Sequence, residues 1–242
     1  MMLQFDGSYH IWLEDGVERC LLLGVDDATS EVKLWILTTG ESLEEILIFF
    51  EKYFAKYGKP EAIYVDCHAT YKVNHERDMF DEEMLTRFQR GLAKMWVEVI
   101  YSKTPEGKWR VERSFQTHQD KMIKKMRLEW IKDIETANKY IEEIYIPEHN
   151  KKYAVLPKEK GDAHIKLTKE ERENYKRYFA KETKRKVKKD GTVQYDNKFY
   201  QIKKWETLHD GNNVIVHETI DGQVEIYSGK SKLVYVKVTK KR

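Results

Sequence analysis

Short apolar runs separated by polar turn residues fill the first 40 positions of the chain. The run Glu31–Thr38 alternates apolar and polar side chains, which is the pattern of a strand with one buried face. Gly and Asp-Gly between the runs are typical of tight turns. The pattern therefore predicts an opening β-meander, with apolar segments at Met1–Asp6, His10–Leu13, Cys20–Asp26 and Glu31–Thr38.

Helical periodicity then alternates with further strands. Ser42 and Glu45 have the spacing of a capping box, ahead of an amphipathic segment that ends before Gly58. The residues that follow predict a strand at Glu61–Asp66, a helix at Glu82–Trp96, a strand at Val97–Tyr101, a long helix after Gly107, and a helix from Thr136 to Ile146 that stops at Pro147. This β-β-β-α-β-α-β-α order is that of the ribonuclease H-like α/β fold, which is built on a mixed sheet.

The character of the sequence changes near residue 156. Leu167–Lys181 is predicted to be helical, because Thr168 and Glu171 repeat the capping-box spacing. Short alternating segments punctuated by turn residues then predict a small β-barrel, with strands at Val193–Tyr195, Phe199–Ile202, Val214–Glu218, Val224–Tyr227 and Leu233–Val238. We expect a ribonuclease H-like core in residues 1–155, a helical linker in 156–186, and a small DNA-binding barrel in 187–242.

The charges are distributed unevenly along the chain. Residues 1–100 carry 10 basic and 19 acidic side chains, whereas residues 101–242 carry 34 basic and 22 acidic ones. An acidic first part and a basic remainder indicate that the second part meets a polyanion, while carboxylates in the first part have another task. A charged, solvated surface is the alternative interpretation.

Composition excludes several classes of protein. No apolar run approaches the roughly 20 residues needed to cross a bilayer, and the N-terminus lacks a signal-peptide pattern. We therefore expect no membrane association and a cytoplasmic, nucleoid-associated location. The two cysteines, Cys20 and Cys67, are too few for a disulfide framework or a zinc site.

Three acidic residues lie where a fold of this kind gathers ligands. Asp6 and Asp66 each end a predicted strand, and Glu112 lies near the start of the long helix. Strand ends of an α/β sheet are the usual place for ligands, and carboxylate oxygens suit hard cations such as Mg²⁺. Asp26 and Asp27, a pair at another strand end, are interpreted as turn residues.

The residues around these acids resemble those of the DDE transposases and retroviral integrases, and specifically the ISNCY group of insertion-sequence transposases. The resemblance covers nearly the whole chain and is carried by Leu3–Trp12, Leu23–Thr29, Tyr64–His68, Ser102–Arg113 and Arg185–Tyr195. The chain departs from the usual pattern at Cys67, where this group has Arg, and at Trp109, where it has Gly.

The resemblance implies a chemistry and a set of partners. Asp6, Asp66 and Glu112 would be the catalytic acids and would hold two Mg²⁺ ions, with Mn²⁺ as a substitute, for cleavage and strand transfer of DNA. Transposon ends and target DNA would be the substrates, and the synaptic complex would contain at least a homodimer. Transposases of this kind usually begin with helix-turn-helix segments, so the resemblance also implies that such a region is missing from this sequence.

Basic residues near the acids and in the second part are the candidate DNA contacts. Lys and Arg neutralise phosphates with little sequence information, so the binding should weaken steeply with salt. For each of them an ordinary solvated role is the alternative. The candidates are His68, Lys108, Arg110, Arg113, Lys121, Lys124, Lys125, Lys184, Arg185, Lys186 and Lys188.

The function predicted from the sequence is that of a transposase or integrase catalytic region. The alternative from another class is a truncated, non-catalytic remnant that binds DNA or regulates a full transposase. A third interpretation, a structure-specific nuclease with a ribonuclease H-like fold, shares the metal site but needs no C-terminal barrel.

Overall fold

The computed structural model describes residues 1–66, 87–102, 109–157, 161, 163–203 and 213–238. At positions 66, 102, 109–114, 116 and 117 it describes the backbone alone. The chain divides into two compact units, Met1–Arg172 and Glu173–Arg242. Within the described residues, no helix is long and apolar enough to cross a membrane.

The first unit alternates strands and helices largely as its periodicity predicts. Its strands are β1 (Met2–His10), β2 (Arg19–Asp26), β3 (Val32–Thr38), β4 (Ala62–Asp66) and β5 (Glu98–Ser102). Its helices are α1 (Leu43–Tyr57), α2 (87–94), α3 (Trp109–Leu128), α4 (Ile134–Tyr140) and α5 (Ile146–Tyr153), with a π-helical turn, Ile141–Tyr145, between the last two. Helix α6 (Lys169–Tyr178) crosses the limit between the units.

One helix boundary differs from the prediction. The segment from Thr136 was expected to stop at Pro147, but the helical chain continues to Tyr153. Pro147 lies in the first turn of α5, directly after the π-helical turn, whose wider spacing accommodates a residue without an N–H. The proline therefore marks a change of helix type and not the end of the helix.

A five-stranded mixed sheet organises the first unit. Its order is β3-β2-β1-β4-β5, with β1, β2 and β3 antiparallel and β4 and β5 parallel to β1. This is the strand order of a ribonuclease H-like α/β domain. The sheet thus places β1 and β4, which carry two of the candidate acids, next to each other.

Alternate residues of β1 face different helices. The ring of Phe5 lies 4.9 Å from the ring of Phe49 and 4.8 Å from that of Phe50, both on α1. Residues of even number on β1 therefore face the opposite side of the sheet. That side is covered by α3, α4 and α5, which share a buried apolar core with β2 and β3 around Trp12 and Trp35.

Two asparagines complete the hydrogen bonds of the edge strand β3. The side-chain oxygen of Asn138 accepts from the N–H of Leu37 at 2.7 Å, and its amide donates to the carbonyl of Leu37 at 2.9 Å. Asn150 makes the same pair of bonds with Val32, at 2.9 and 2.8 Å. Each amide replaces the missing neighbouring strand, so the sheet edge is blocked by helices α4 and α5.

The chain after α5 returns to the first unit. Ile165 forms an antiparallel bridge with Lys59, and the hydroxyl of Tyr53 lies 2.7 Å from the ring of His164. The ammonium of Lys59 pairs with the carboxylate of Glu171, and both groups are buried. Burial raises the pKa of Glu171, but hydrogen bonds from Lys59 and Thr168 outweigh it and lower the pKa. The segment 163–171 is thus attached to the first unit.

The second unit consists of two small antiparallel sheets around one core. Its strands are β6 (Lys181–Lys186), β7 (Thr192–Tyr195), β8 (Lys198–Ile202), β9 (Asn213–Glu218), β10 (Val224–Ser228), β11 (Ser231–Lys232) and β12 (Tyr235–Val238). They form the sheets β11-β10-β9-β6 and β12-β8-β7, and Val193, Val216 and Ile226 lie in the shared core.

The five predicted barrel strands are present, but the sheets are open, so closure into a barrel is not observed among the described residues. A further strand, β6, lies in the stretch predicted as a helical linker. Its sequence, KETKRK, contains no apolar residue that periodicity would detect, and pairing with β9 makes it a strand. The domain limits proposed from the sequence stay a prediction.

Candidate functional site

Asp6 lies in the middle of the sheet, on β1. Its side chain is half-buried, and its Oδ1 accepts a hydrogen bond from the N–H of Gly7 at 2.9 Å. A side chain at Gly7 would collide with its surroundings, because an added Cβ would lie 3.0 Å from Cys20 Sγ and from the Glu41 carboxylate. The backbone beside Asp6 is therefore held closely by its neighbours.

The acidic surroundings of β1 affect a neighbouring thiol. Burial raises the pKa of Cys20, and the nearby carboxylates of Glu41 and Asp6 raise it further. Cys20 therefore stays a neutral, buried thiol at physiological pH.

The register between β1 and β4 relates Asp66 to Asp6. Met2, Leu3 and Gln4 pair with Ala62, Ile63 and Tyr64 in parallel, and Asp66 is the last residue of β4. Continued by two residues, this register puts the backbone of Asp66 level with that of Asp6. Adjacent strands lie about 4.8 Å apart, so the two backbone positions are neighbours in the sheet.

Helix α3 runs along β1 in the same direction as the strand. The amide of Gln119 donates to Ser8 Oγ at 3.4 Å, and further along, Arg127 pairs with Glu14 at 3.2 Å. Between these two contacts, Trp12 lies in the same core cluster as Ile123 and Met126. The order of these contacts along α3 therefore follows their order along β1 and the turn after it.

This alignment locates the backbone of Glu112. Glu112 lies seven residues before Gln119, which is two helical turns, or about 10.5 Å, on the same face of α3. Asp6 lies two residues before Ser8, about 7 Å along the strand. Glu112 is thus within about 4 Å of the level of Asp6, measured along the strand direction.

The contact between Ser8 and Gln119 was not predicted from the sequence. Neither residue type is rare or conspicuous in a chain of this composition. The sequence offered one indication, the seven-residue spacing that puts Gln119 and Glu112 on the same face of a helix. This spacing can be interpreted only when the contact of α3 with β1 is known.

The paired acids at the end of β2 have the turn role predicted for them. Asp26 Oδ1 accepts from the N–H of Ala28 at 2.9 Å, and the N–H of Ser30 donates to the carbonyl of Asp26 at 2.8 Å. Asp27 accepts a hydrogen bond from the amide of Gln4. Both acids are therefore used in the β2–β3 connection.

The candidate DNA contacts near the acids fall into two groups. His68 and Lys108 lie outside the described residues, and Arg110 and Arg113 lie in the first turns of α3, where only the backbone is described. Lys121 and Lys125, further along α3, contact α5 through the Tyr153 hydroxyl, at 2.5 Å, and the carboxylate of Glu148.

Lys124 pairs with Asp120 one turn before it on α3, at 2.5 Å. Each of the three α3 lysines thus has an intramolecular partner. Exposed pairs of this kind contribute only about 0–1 kcal/mol, so they leave the lysines available to other anions.

The basic run of the second unit is exposed. Lys184, Arg185 and Lys186 occupy the second half of β6, and Lys188 follows the buried Val187. These residues belong to the second unit, whereas the three candidate acids belong to the first.

The described residues contain no cluster of three His, Cys, Asp or Glu side chains that could hold a metal ion. The Asp66 and Glu112 side chains are outside this statement, since only their backbones are described. What the structure describes of the site is a half-buried carboxylate on β1, a strand end in register with it, and a helix aligned over it.

Comparison with known proteins finds relatives among the transposases. The chain is 32% identical to y4bF of Sinorhizobium fredii, whose name describes it as a candidate transposase, over 69% of this chain and 36% of the relative. It is 27% identical to the transposase for insertion sequence IS1202 of Streptococcus pneumoniae, over 58% of this chain and 30% of the relative. The matches thus span about a third of each relative.

Solved structures were also compared. The HTLV-2 integrase catalytic core domain in complex with magnesium has a TM-score of 0.42 and 15% identity, over 58% of this chain and 83% of that one. A simian T-cell lymphotropic virus intasome in complex with PP2A regulatory subunit B56 gamma has a TM-score of 0.42 and 12% identity, over 100% of this chain and 82% of that one. No model of a protein family matches the chain.

The first unit is a ribonuclease H-like α/β domain. By its relatives, the chain is similar to transposases.

Proposed function

We propose that the chain contains the catalytic core of a DNA transposase, which cleaves a phosphodiester bond at a transposon end and joins the freed 3′ strand to target DNA. The observation that supports the proposal is the parallel pairing of β1 with β4 from Met2 to Gln4, which would bring Asp6 and Asp66 side by side if it continued by two residues. Two carboxylates in neighbouring positions are what a shared cation requires. The similarity to two transposases supports the same reaction class.

The proposed site has the donor chemistry that Mg²⁺ prefers. Carboxylate oxygens are hard ligands, and Mg²⁺ uses one or two of them while it keeps several waters. In this proposal Asp6, Asp66 and Glu112 would together hold two Mg²⁺ ions, with Mn²⁺ as a substitute. When bound, such ions polarise the phosphate and stabilise charge on the entering and leaving oxygens.

The residues around Asp6 would keep this ligand in place. The N–H of Gly7 orients the carboxylate, and Cys20 and Glu41 enclose Gly7 from the other face. Fixed geometry is important because a misplacement of about 1 Å at a reacting centre can cost a factor of about 100 in rate. Contacts between α3 and β1 would likewise fix the position of Glu112 along the direction of β1.

DNA contacts complete the proposal. Arg110 and Arg113 lie on the same helix as Glu112, near its start, and they would meet phosphates close to the cleaved bond. The basic run in the second unit would hold the same DNA farther along. Assembly into a homodimer or a larger synaptic complex belongs to the same proposal.

The test is a nicking and strand-transfer assay in Mg²⁺ or Mn²⁺ with DNA that carries a free 3′-hydroxyl. Asp66→Asn and Glu112→Gln each remove a ligand charge with little change in shape, and we expect the rate to fall by at least about 100-fold. Asp27→Asn is the matched control, because it neutralises an acid in the β2–β3 turn.

The outcomes separate the candidate functions. Retained activity in Asp66→Asn, or equal loss in the Asp27→Asn control, would contradict the assigned acids. Salt-sensitive DNA binding with no nicking by the unchanged protein would favour the non-catalytic remnant. Nicking without strand transfer would favour a structure-specific nuclease.

A further inference from the structure

A groove of about 460 Å³ lies where the end of α3 and the chain after it meet the turn that follows β1, wholly within the first unit. We call it the α3 groove. Its size is that of cavities that receive a large apolar group. Its floor is apolar, because it is formed by buried side chains of the core, Trp12, Leu13, Ile123, Met126 and Ile131.

Two large apolar side chains of the groove lining are exposed to solvent. Leu128 is 75% exposed and Trp130 is 80% exposed. Single exposed apolar residues are common on protein surfaces, but here the two residues and the groove floor form one continuous apolar surface. A surface of this kind, with a tryptophan at its edge, is typical of a contact with another protein.

The backbone at the end of α3 fixes the position of Trp130. The N–H of Ile131 donates to the carbonyl of Met126 at 3.0 Å, and the N–H of Trp130 donates to that of Arg127 at 3.1 Å. These two bonds form a Schellman motif, in which the residue with positive φ is usually glycine. In this chain it is Trp130, with φ of 55°. A tryptophan in a position that favours glycine, with its ring in solvent, indicates a role outside the folding of the unit.

Charges near the α3 groove include one cation and one acid that are available to a partner. Arg127 lines the groove and already pairs with Glu14 at 3.2 Å. The ammonium of Lys132, also in the lining, lies 5.8 Å from the centre of the Trp130 ring. Among the described residues, neither Lys132 nor the exposed Glu129 has an ion-pair partner. The groove therefore suits an apolar side chain that has a carboxylate beside it.

The chain itself presents such a segment. Leu128, Glu129 and Trp130 are consecutive and exposed, so they offer a carboxylate between two apolar side chains. The segment and the groove belong to the same surface of the first unit. A surface that carries both a ligand and the site for it is self-complementary, which is the condition for a two-fold symmetric contact between two copies.

We propose that the α3 groove is a contact surface between two copies of this chain, in which Trp130 of each copy enters the groove of the other and Glu129 of each copy pairs with Lys132 of the other. The tryptophans, the leucines and the groove walls that they cover would bury about 1,000 Å² in total. Interfaces of this size are at the weak end, so we expect a Kd on the order of 10 µM. The inference rests on the proposed function only for the expectation of a homodimer, and it depends on no catalytic step.

The first test measures the mass of the full chain by sedimentation over a range of concentrations, without DNA or divalent metal. Trp130→Gly removes the anchor and puts glycine where the Schellman motif favours it, so the variant should fold at least as stably as the unchanged protein. The matched control is Trp96→Gly, because Trp96 also has a positive φ, 59°, is 88% exposed and does not line the groove. We expect Trp130→Gly to weaken the dimer at least about 10-fold and Trp96→Gly to leave its Kd unchanged.

The second test reverses the charges of the proposed ion pair. Glu129→Lys and Lys132→Glu each place like charges opposite each other, so we expect each variant alone to dimerise at least about 10-fold more weakly. An equal mixture of the two variants should form a heterodimer, because both pairs between the copies then have opposite charges. The double variant Glu129→Lys/Lys132→Glu should form a homodimer again. Failure of both the mixture and the double variant to recover the dimer would contradict the pairing.

Three results of the first test would overturn the proposal. One is a protein that stays monomeric up to about 200 µM, which would leave the groove to a different protein. Another is equal weakening by Trp130→Gly and Trp96→Gly. The third is a dimer that Trp130→Gly does not weaken, because the copies would then meet at another surface.

Failure of the proposed function can be distinguished from failure of this inference. Asp66→Asn should dimerise as the unchanged protein does, whether or not either protein nicks DNA. A dimer that depends on Trp130 in a protein that does not nick DNA contradicts the transposase proposal alone. A monomer that nicks and joins DNA contradicts the proposed contact alone.

Discussion

A buried histidine should make the first unit sensitive to acid. His118, on α3, is fully buried, with its ring 4.1 Å from the Trp35 ring and its Nδ1 3.1 Å from the hydroxyl of Tyr145. Burial, together with the neighbouring His149 and Lys121, lowers the pKa of His118 to about 2. The folded protein therefore keeps His118 neutral at pH values where the unfolded chain protonates it.

The sign and size of the effect follow from this difference in pKa. A histidine in the unfolded chain has a pKa of about 6.5, so below this pH the unfolded state binds a proton that the folded state does not bind. Stability is complete above about pH 6.5 and falls by about 1.4 kcal/mol per pH unit as the pH decreases towards 2. Between pH 7 and pH 4.5, His118 should cost about 2.5 kcal/mol.

His149 contributes in the same direction. Its ring lies 4.4 Å from that of His118, and burial lowers its pKa to about 4, with Lys121 adding to the effect. The Tyr153 ring is 4.7 Å from His149, and Lys121 donates to the Tyr153 hydroxyl. The whole group therefore favours neutral imidazoles.

The assay is denaturant unfolding at pH 7 and pH 4.5 of the unchanged protein, His118→Leu and a control, His10→Gln. His118→Leu loses the bond to Tyr145 at both pH values, so that cost cancels in the difference between them. We expect its stability to fall by about 2.5 kcal/mol less than that of the unchanged protein. His10→Gln removes an exposed imidazole. An equal fall in His118→Leu and the unchanged protein would refute the reasoning.

Two further predictions concern stability. Glu171→Gln leaves the buried ammonium of Lys59 without its carboxylate, so we expect the free energy of unfolding in denaturant to fall by about 3–5 kcal/mol. Lys59→Met/Glu171→Gln should recover much of this loss. A double variant as unstable as the single one would contradict this. Asn138→Ala leaves the N–H and carbonyl of Leu37 unpaired at the sheet edge, and we expect the free energy of unfolding to fall by about 1–3 kcal/mol. The amide proton of Leu37 should also exchange faster with solvent. An unchanged exchange rate would count against the role of Asn138 at the edge.

Local sequence signals predicted much of the fold because the forces behind them are local. The N-cap at Ser42 is present, with the N–H of Glu45 donating to Ser42 Oγ at 3.2 Å. The capping box at Thr168 is also present, and its Glu171 additionally pairs with Lys59, 112 residues away in sequence. The spacing in the sequence predicts the capping role of Glu171 but not its ion pair with Lys59.

Other elements were invisible to periodicity because distant partners create them. Strand β6 has a charged sequence and becomes a strand through its ladder with β9. The helical chain passes Pro147 because a π-helical turn precedes it. In the sequence, Asn138 and Asn150 have the pattern of ordinary helix-surface residues. Their hydrogen bonds to the edge strand β3 depend on the packing of the helices against that strand.

By itself, the sequence determined which residues end strands and begin helices, and so it marked Asp6, Asp66 and Glu112 as candidates. Only the tertiary structure decided that β1 and β4 are parallel neighbours, paired from Met2 to Gln4, and that Gln119 of α3 contacts Ser8 of β1. The physical reason is that turns and helices depend on nearby residues, whereas strand register and helix docking depend on contacts between segments tens of residues apart.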